Sequence, residues 1–159
     1  MFPLALAIVL TLAFQGCASG GSGGGDGGRE SLYREDIGSV LFEPFAEARF
    51  KMWGKHNIPL LREEISRRNV FWESSWIVRT PSLSESAIGA RNRVVIRGYQ
   101  TGENLDGTGV YRMTFTVENQ IRTDFAPDWH PAPFPEEVSE TYRRLYGDLM
   151  MEVRAGVRR

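Results

Sequence analysis

The side chains of this 159-residue chain that could support chemistry are one cysteine, two histidines, a few carboxylate clusters and many arginines. Cys17 stands alone, so neither an intrachain disulfide framework nor a multi-cysteine zinc site is available. His56 and His130 lie too far apart to carry a metal-ligand spacing, so no metal or cofactor is expected. Glu63 and Glu64 are neighbours in what the pattern predicts to be a helix, where adjacent residues do not face one another. Ser74 and Ser75 lack the Gly-x-Ser-x-Gly setting of a nucleophile elbow. Asp124 and, in the segment DWHP, Asp128 and His130 are the acid–base candidates if the chain is an enzyme. Lys51 and Lys55 are the only lysines among 19 basic residues, so arginine supplies nearly all the positive charge. Arg91, Arg93, Arg97 and Arg112 cluster in two neighbouring segments, and guanidinium binds phosphate and carboxylate bidentately.

Those arginines belong to strands. In RVVIRGY, Val94 and Ile96 share one face while Arg93, Arg97 and Tyr99 share the other. In YRMTFTV, Tyr111, Met113, Phe115 and Val117 alternate with Arg112, Thr114 and Thr116. The turn-rich TGENLDGTG between them makes the two segments arms of a hairpin. With Ile96 opposite Met113 both faces stay consistent, and Arg97 lies opposite or near Arg112 with Arg91 and Arg93 on the same face. Like charges across a ladder are destabilising unless neutralised. An anionic partner would do so, and so would Glu103 or Glu118 at a solvated face.

The remaining elements follow from periodicity. Asp36 to Glu43 predicts a first strand limited by Pro44. Asn57 before IPLLREEISRR, with Ile58, Leu61 and Ile65 at helical spacing, predicts a short helix to about Arg68. Residues 70–79 predict a strand with Trp72 and Trp76 on one face, as core, while Trp53 and Trp129 fall in irregular segments as partner-facing or membrane-interface anchors. Val138, Tyr142, Leu145, Leu149 and Val153 mark one face of a C-terminal helix, with Glu136 and Glu137 in its first turn. The expectation is a two-layer α+β sandwich in the order β-α-β-β-β-α, its sheet mainly antiparallel and its helices on one face.

Composition sets the outer bounds. Hydrophobic residues at 42% and charged residues at 25% are ordinary for a globular domain, and the net charge of −1 leaves no electrostatic footprint for bulk nucleic-acid binding. Residues 1–16 open with the apolar MFPLALAIVLTLAF, too short to span a bilayer and of signal-peptide length. FQGCASGG follows, and it resembles the lipobox of bacterial lipoproteins. The resemblance implies that Cys17 is lipidated through its sulfur, and Ala18 after it implies export to the outer membrane. Residues 17–28 are almost pure Gly and Ser, the composition of a tether, and 29–159 form a single domain.

SLYREDIGSVLFEPFAEARF (Ser31–Phe50), with VVIRGY (Val94–Tyr99) in the place of a strand ending in Gly, resembles the LptE-type lipoproteins of lipopolysaccharide assembly. The resemblance implies a non-catalytic scaffold on the periplasmic face of the outer membrane, with a β-barrel protein and lipopolysaccharide as partners. MWGKHNIPLLREEISRRNVFW and VENQI resemble the NTF2-like group instead, which implies an exported small-ligand-binding or enzymatic domain.

Overall fold

The computed structural model describes residues 31–157. The expected signal peptide, Cys17 and the Gly/Ser segment lie outside them.

The chain is α+β, with a seven-stranded antiparallel sheet and two helices. Strand β1 (Leu32–Leu41) leads directly into helix α1 (Phe42–Lys55). Four strands follow: β2 (Leu60–Ile65), β3 (Asn69–Ser74), the short β4 (Ile77–Arg79) and the long β5 (Gly89–Glu103). Then come β6 (Gly109–Arg122), the two-residue β7 (His130–Pro131) and helix α2 (Glu136–Val157). The sheet runs β1-β6-β5-β3-β2, with β4 also on β5 and β7 also on β6.

Three sequence expectations are corrected. The helix predicted over 57–68 is instead the edge strand β2, and Asn57 adopts φ 52° rather than capping a helix. The helix lies earlier, in FEPFAEARFKMWGK, where Phe45, Ala48, Arg49, Met52 and Trp53 are buried at spacings of three and four. Pro44 does not end the strand; it sits in the first helical turn, where its missing N–H is no loss. Second, the segment 70–79 is broken into β3 and β4, so Trp72 and Trp76 do not share a face. Third, the hairpin of β5 and β6 forms with a register two residues away from the expected one. Ile96 lies opposite Phe115, Val94 opposite Val117 and Gly98 opposite Met113. A shift of two leaves every side chain on its expected face and changes only its partner.

The core lies between the helices and one sheet face. Trp72, Val94, Ile96, Met113, Phe115 and Val117 from the strands meet Phe45 and Met52 of α1 and Leu145, Leu149 and Val153 of α2. Trp72 is fully buried, tilted against Phe45 at 6.0 Å between ring centroids and stacked with Phe42 at 6.1 Å. Trp53, expected in an irregular segment, is buried in α1 at 3% exposure.

Gly98 is where the hairpin leaves room for Met113. A Cβ at that position would lie 2.1 Å from Met113 Sδ, so any side chain there displaces the thioether from the core. Gly98→Ala should therefore destabilise the fold by about 1–3 kcal/mol, read as a lower urea midpoint with an unchanged slope. A cost under about 0.5 kcal/mol would mean that Met113 swings aside freely.

Candidate functional site

The alternation that fills the core sends a second set of side chains to the opposite, open face of the sheet. On β5 these are Arg91, Arg93, Val95, Arg97 and Tyr99; on β6 they are Arg112, Thr114, Thr116, Glu118 and Gln120. Pairing with β1 adds Leu32, Arg34 and Asp36, and pairing with β3 adds Asn69, Phe71 and Glu73. All four arginines singled out from the sequence lie on this face.

Their neighbours differ from those expected. Arg97 faces Thr114 rather than Arg112, and Arg112 faces Tyr99, so the like-charge contact does not arise. Arg112 Nη2 instead donates to Asp36 Oδ2 at 2.5 Å. That bond, followed by the N–H of Gly38, holds the Asp36 carboxyl below its ordinary pKa. Arg93 is clamped from both sides, its Nε to Glu118 Oε2 at 2.7 Å and its Nη1 to Glu73. Glu118 was one of the two carboxylates expected to neutralise this face; the other, Glu103, pairs with Arg67 at 3.2 Å.

Arg91 has a different environment. Its Nε and Nη2 donate to Gln120 Oε1 at 3.0 and 2.6 Å, and its guanidinium lies 4.3 Å from the ring centroids of both Trp76 and Trp129. Arg93 contacts the Trp76 ring at 4.6 Å and Arg122 the Trp129 ring at 5.1 Å. The result is an alternating stack, Arg122–Trp129–Arg91–Trp76–Arg93, in which each indole separates two cations. Desolvation, then the charge of Arg93, lowers the pKa of Arg91. Trp76 and Trp129 are thus both open-face residues. Phe71 plays a similar part between Arg62 at 5.1 Å and Arg97 at 5.5 Å.

Among the described residues, Arg34, Arg91, Arg97 and Arg122 are the open-face arginines with no carboxylate in ion-pair contact. Two of them, Arg34 and Arg97, flank a concavity of about 420 Å³. Val95, Thr114 and Thr116 lie between them, Leu32 and Tyr99 add apolar surface, and Glu118 adds a carboxylate already paired with Arg93. Two free guanidiniums beside two hydroxyls suit an oxyanion, and the apolar neighbours suit an attached hydrocarbon. Sequence reasoning missed Arg34, Thr114 and Thr116 as site residues. Their signal was the pairing of β1 with β6, which no local pattern announces.

The catalytic candidates do not assemble. His130 contacts the backbone carbonyl of Asp128 at 3.2 Å through Nδ1. Glu63 and Glu64 point to opposite sheet faces, Glu63 accepting from Arg49 Nη2 at 2.9 Å and Trp72 Nε1 at 2.8 Å. Ser74 is buried and its Oγ accepts the N–H of Val94 at 2.9 Å, filling the gap between β3 and β4. No group of three His, Cys, Asp or Glu among the described residues is placed to hold a metal ion. A second concavity of about 790 Å³ runs along α2, lined by Ile58, Ile77, Tyr142, Leu145 and Met151. At its edge His56 Nε2 and Lys55 Nζ each approach Asp148 Oδ2 at 2.9 Å.

One end of the sheet is secured by a buried polar cluster on the helix side. Asn92 and Asn119 face one another across β5 and β6, and Arg79 donates to both, at 2.7 and 2.8 Å. Arg79 also forms a two-point ion pair with Glu85, at 2.6 and 2.5 Å, which fastens the segment 80–88 to the sheet. Asn119 Nδ2 reaches the carbonyls of Ala132 and Pro133 at 3.1 and 2.9 Å, securing the approach to α2.

No protein-family model matches the chain, and no curated protein sequence does either.

Burial acts to raise the Glu85 pKa, but the bonds from Arg79, the Ser82 N–H and Asn119 outweigh it and leave the group below its ordinary value of 4.5. A depressed folded-state pKa contributes stability above the unfolded value, and that contribution fades as pH falls through the folded one. Glu85→Gln should cost roughly 1–3 kcal/mol at pH 7, because it leaves the partly buried Arg79 without its counter-ion. Urea titrations should show the difference from wild type narrowing as pH falls below about 4.5. An equal loss at pH 7 and at pH 3 would mean that the Glu85 charge is not what holds the segment.

Proposed function

We propose that the protein is a membrane-tethered, non-catalytic lipoprotein that acts by holding an anionic partner on the open face of its sheet. In this reading Cys17 carries the lipid, residues 17–28 form the tether, and the domain is a two-layer arrangement with both helices on one sheet face. The observation that carries the reading is the pair of guanidiniums, Arg34 and Arg97, that line the 420 Å³ concavity with no ion-pair partner among the described residues. The space between the helices and the sheet, where a cone-shaped enzyme would keep its pocket, is filled by Trp72, Phe45, Phe115, Met113 and Leu149. The LptE-type resemblance names the partners: lipopolysaccharide, whose lipid A presents phosphates beside hydrocarbon, and an outer-membrane β-barrel. The place of action is then the periplasmic face of the outer membrane.

The second reading, an exported small-ligand-binding or enzymatic domain of NTF2-like type, draws on the groove along α2. It would use the apolar wall of Ile58, Ile77 and Leu145 with the His56–Asp148 pair at its edge. The two readings put the ligand on opposite sides of the sheet.

Arg34→Ala/Arg97→Ala should weaken lipid A binding at least tenfold, the loss of about 1.4 kcal/mol or more that two charge-assisted contacts supply. Its urea midpoint should stay within the range of surface substitutions. Unchanged lipid A affinity would remove the open-face reading. Affinity purification from detergent-solubilised native membranes provides the partner test: recovery of one large β-barrel in equal amount supports the scaffold, and recovery of the protein alone rejects it.

A further inference from the structure

Four large apolar side chains that are open to solvent lie at one end of the sheet. That end is where β4 finishes at Arg79, β5 begins at Gly89 and β6 finishes at Arg122. The segment 80–88 protrudes there and carries Leu83 and Ile88, at 105% and 54% exposure. The turn that follows Arg122 protrudes beside it; Ile88 N–H donates to the Arg122 carbonyl, so the two loops are joined at their bases. Phe125 stands at the tip of that turn, 101% exposed, above a brace between Thr123 and Ala126. Val78, 74% exposed, lies opposite Arg91 nearby.

Single exposed apolar residues are ordinary, and Leu105, at 106%, is one at the far hairpin tip. The distinction of this end is what else reaches it. The described chain begins here: Asn119 N–H donates to the Ser31 carbonyl, and Leu32 pairs with Glu118, alongside β7. The segment from Cys17 to Ser31 has the composition of a tether, and a Gly-rich chain of that length spans about 20 Å. Trp129, half-buried on Arg91 and Arg122, follows the same turn, and indoles favour a membrane interface.

We infer that this end of the domain docks directly on the lipid bilayer, with Leu83 and Phe125 inserted among the acyl chains and Ile88 and Trp129 at headgroup depth. The inference rests on the reading of Cys17 as the lipidated anchor, which brings this end within reach of the membrane. Charge contributes little, because the same segment carries as many carboxylates, Asp124 and Asp128, as there are arginines beside Trp129, Arg91 and Arg122. Docking therefore follows apolar insertion and holds on zwitterionic lipid with weak salt dependence.

The test uses the full mature chain, purified from membranes and reconstituted into phosphatidylcholine vesicles. Leu83→Cys, Phe125→Cys and Leu105→Cys each receive one environment-sensitive fluorophore. The expected result is blue-shifted emission, quenched by brominated lipid, at 83 and 125, with aqueous emission at 105. Labels at 83 and 125 as aqueous as the one at 105 would overturn the inference. The anchor reading is scored separately, because an acylated Cys17 takes no label and a free one doubles the dye per chain. In a Cys17→Ser background, Leu83→Ser/Phe125→Ser should bind vesicles at least tenfold more weakly than the parent. Equal binding by the two would again reject docking, whatever the state of Cys17.

Discussion

The two-residue repeat of a β-strand is the constraint on which the rest of this structure depends. Along β5 and β6 it separates Val94, Ile96, Met113, Phe115 and Val117 from Arg91, Arg93, Arg97, Arg112 and the threonines. The first set makes a core that two helices can cover, and the second can only face away from it. A chain with one more acidic than basic group thereby acquires an arginine-rich surface without a large net charge. The balancing carboxylates are distributed unevenly over that surface. Glu73, Glu118 and Asp36 neutralise Arg93 and Arg112 and leave Arg34 and Arg97 open.

Aromatic rings make this density of arginine tolerable. Arg91 and Arg93 project from the same strand face two residues apart, an arrangement that repels in isolation. Trp76 lies against both guanidiniums and Trp129 against that of Arg91, so each of these cations has an aromatic ring centroid within 4.6 Å. The gap between β3 and β4 is what places Trp76 there. The chain leaves the ladder after Ser74, whose hydroxyl takes over the Val94 N–H, and rejoins β5 at Ile77.

How much of this was legible follows from which interactions are local. The β5–β6 hairpin was legible because both arms alternate cleanly, and α2 because its apolar face repeats over about four turns. The register was not, because sliding the hairpin by two residues preserves every face, and the choice depends on the turn geometry. β2 was misread for a physical reason. Its residues are all exposed, so no alternation is imposed on them, and Ile58, Leu61 and Ile65 fall at helical spacing by coincidence. The α1 signal was present in Phe45, Ala48 and Met52 but was obscured by Pro44. The hairpin arginines Arg91, Arg93, Arg97 and Arg112 were found, and Arg34 and Arg122 were not. Which of them remain free depends on Asp36 and Glu73, contributed by strands whose pairing the local pattern does not encode.

The edge strand β2 has one more consequence. Its outer rim offers unpaired backbone groups, flanked by Leu60, Leu61 and Ile65, all exposed. Such a rim is a template on which another chain can add itself, and repetition of that step leads to fibrils. Leu61 falls where the pairing with β3 slips by one residue, so the rim bends before a straight run of contacts can form. Pro59 closes its upstream end, and the charges of Arg62, Glu63 and Glu64 penalise alignments with a copy that bring like charges together. The irregularity in β2 thus guards against edge-to-edge polymerisation, and it matters most where many copies are crowded together.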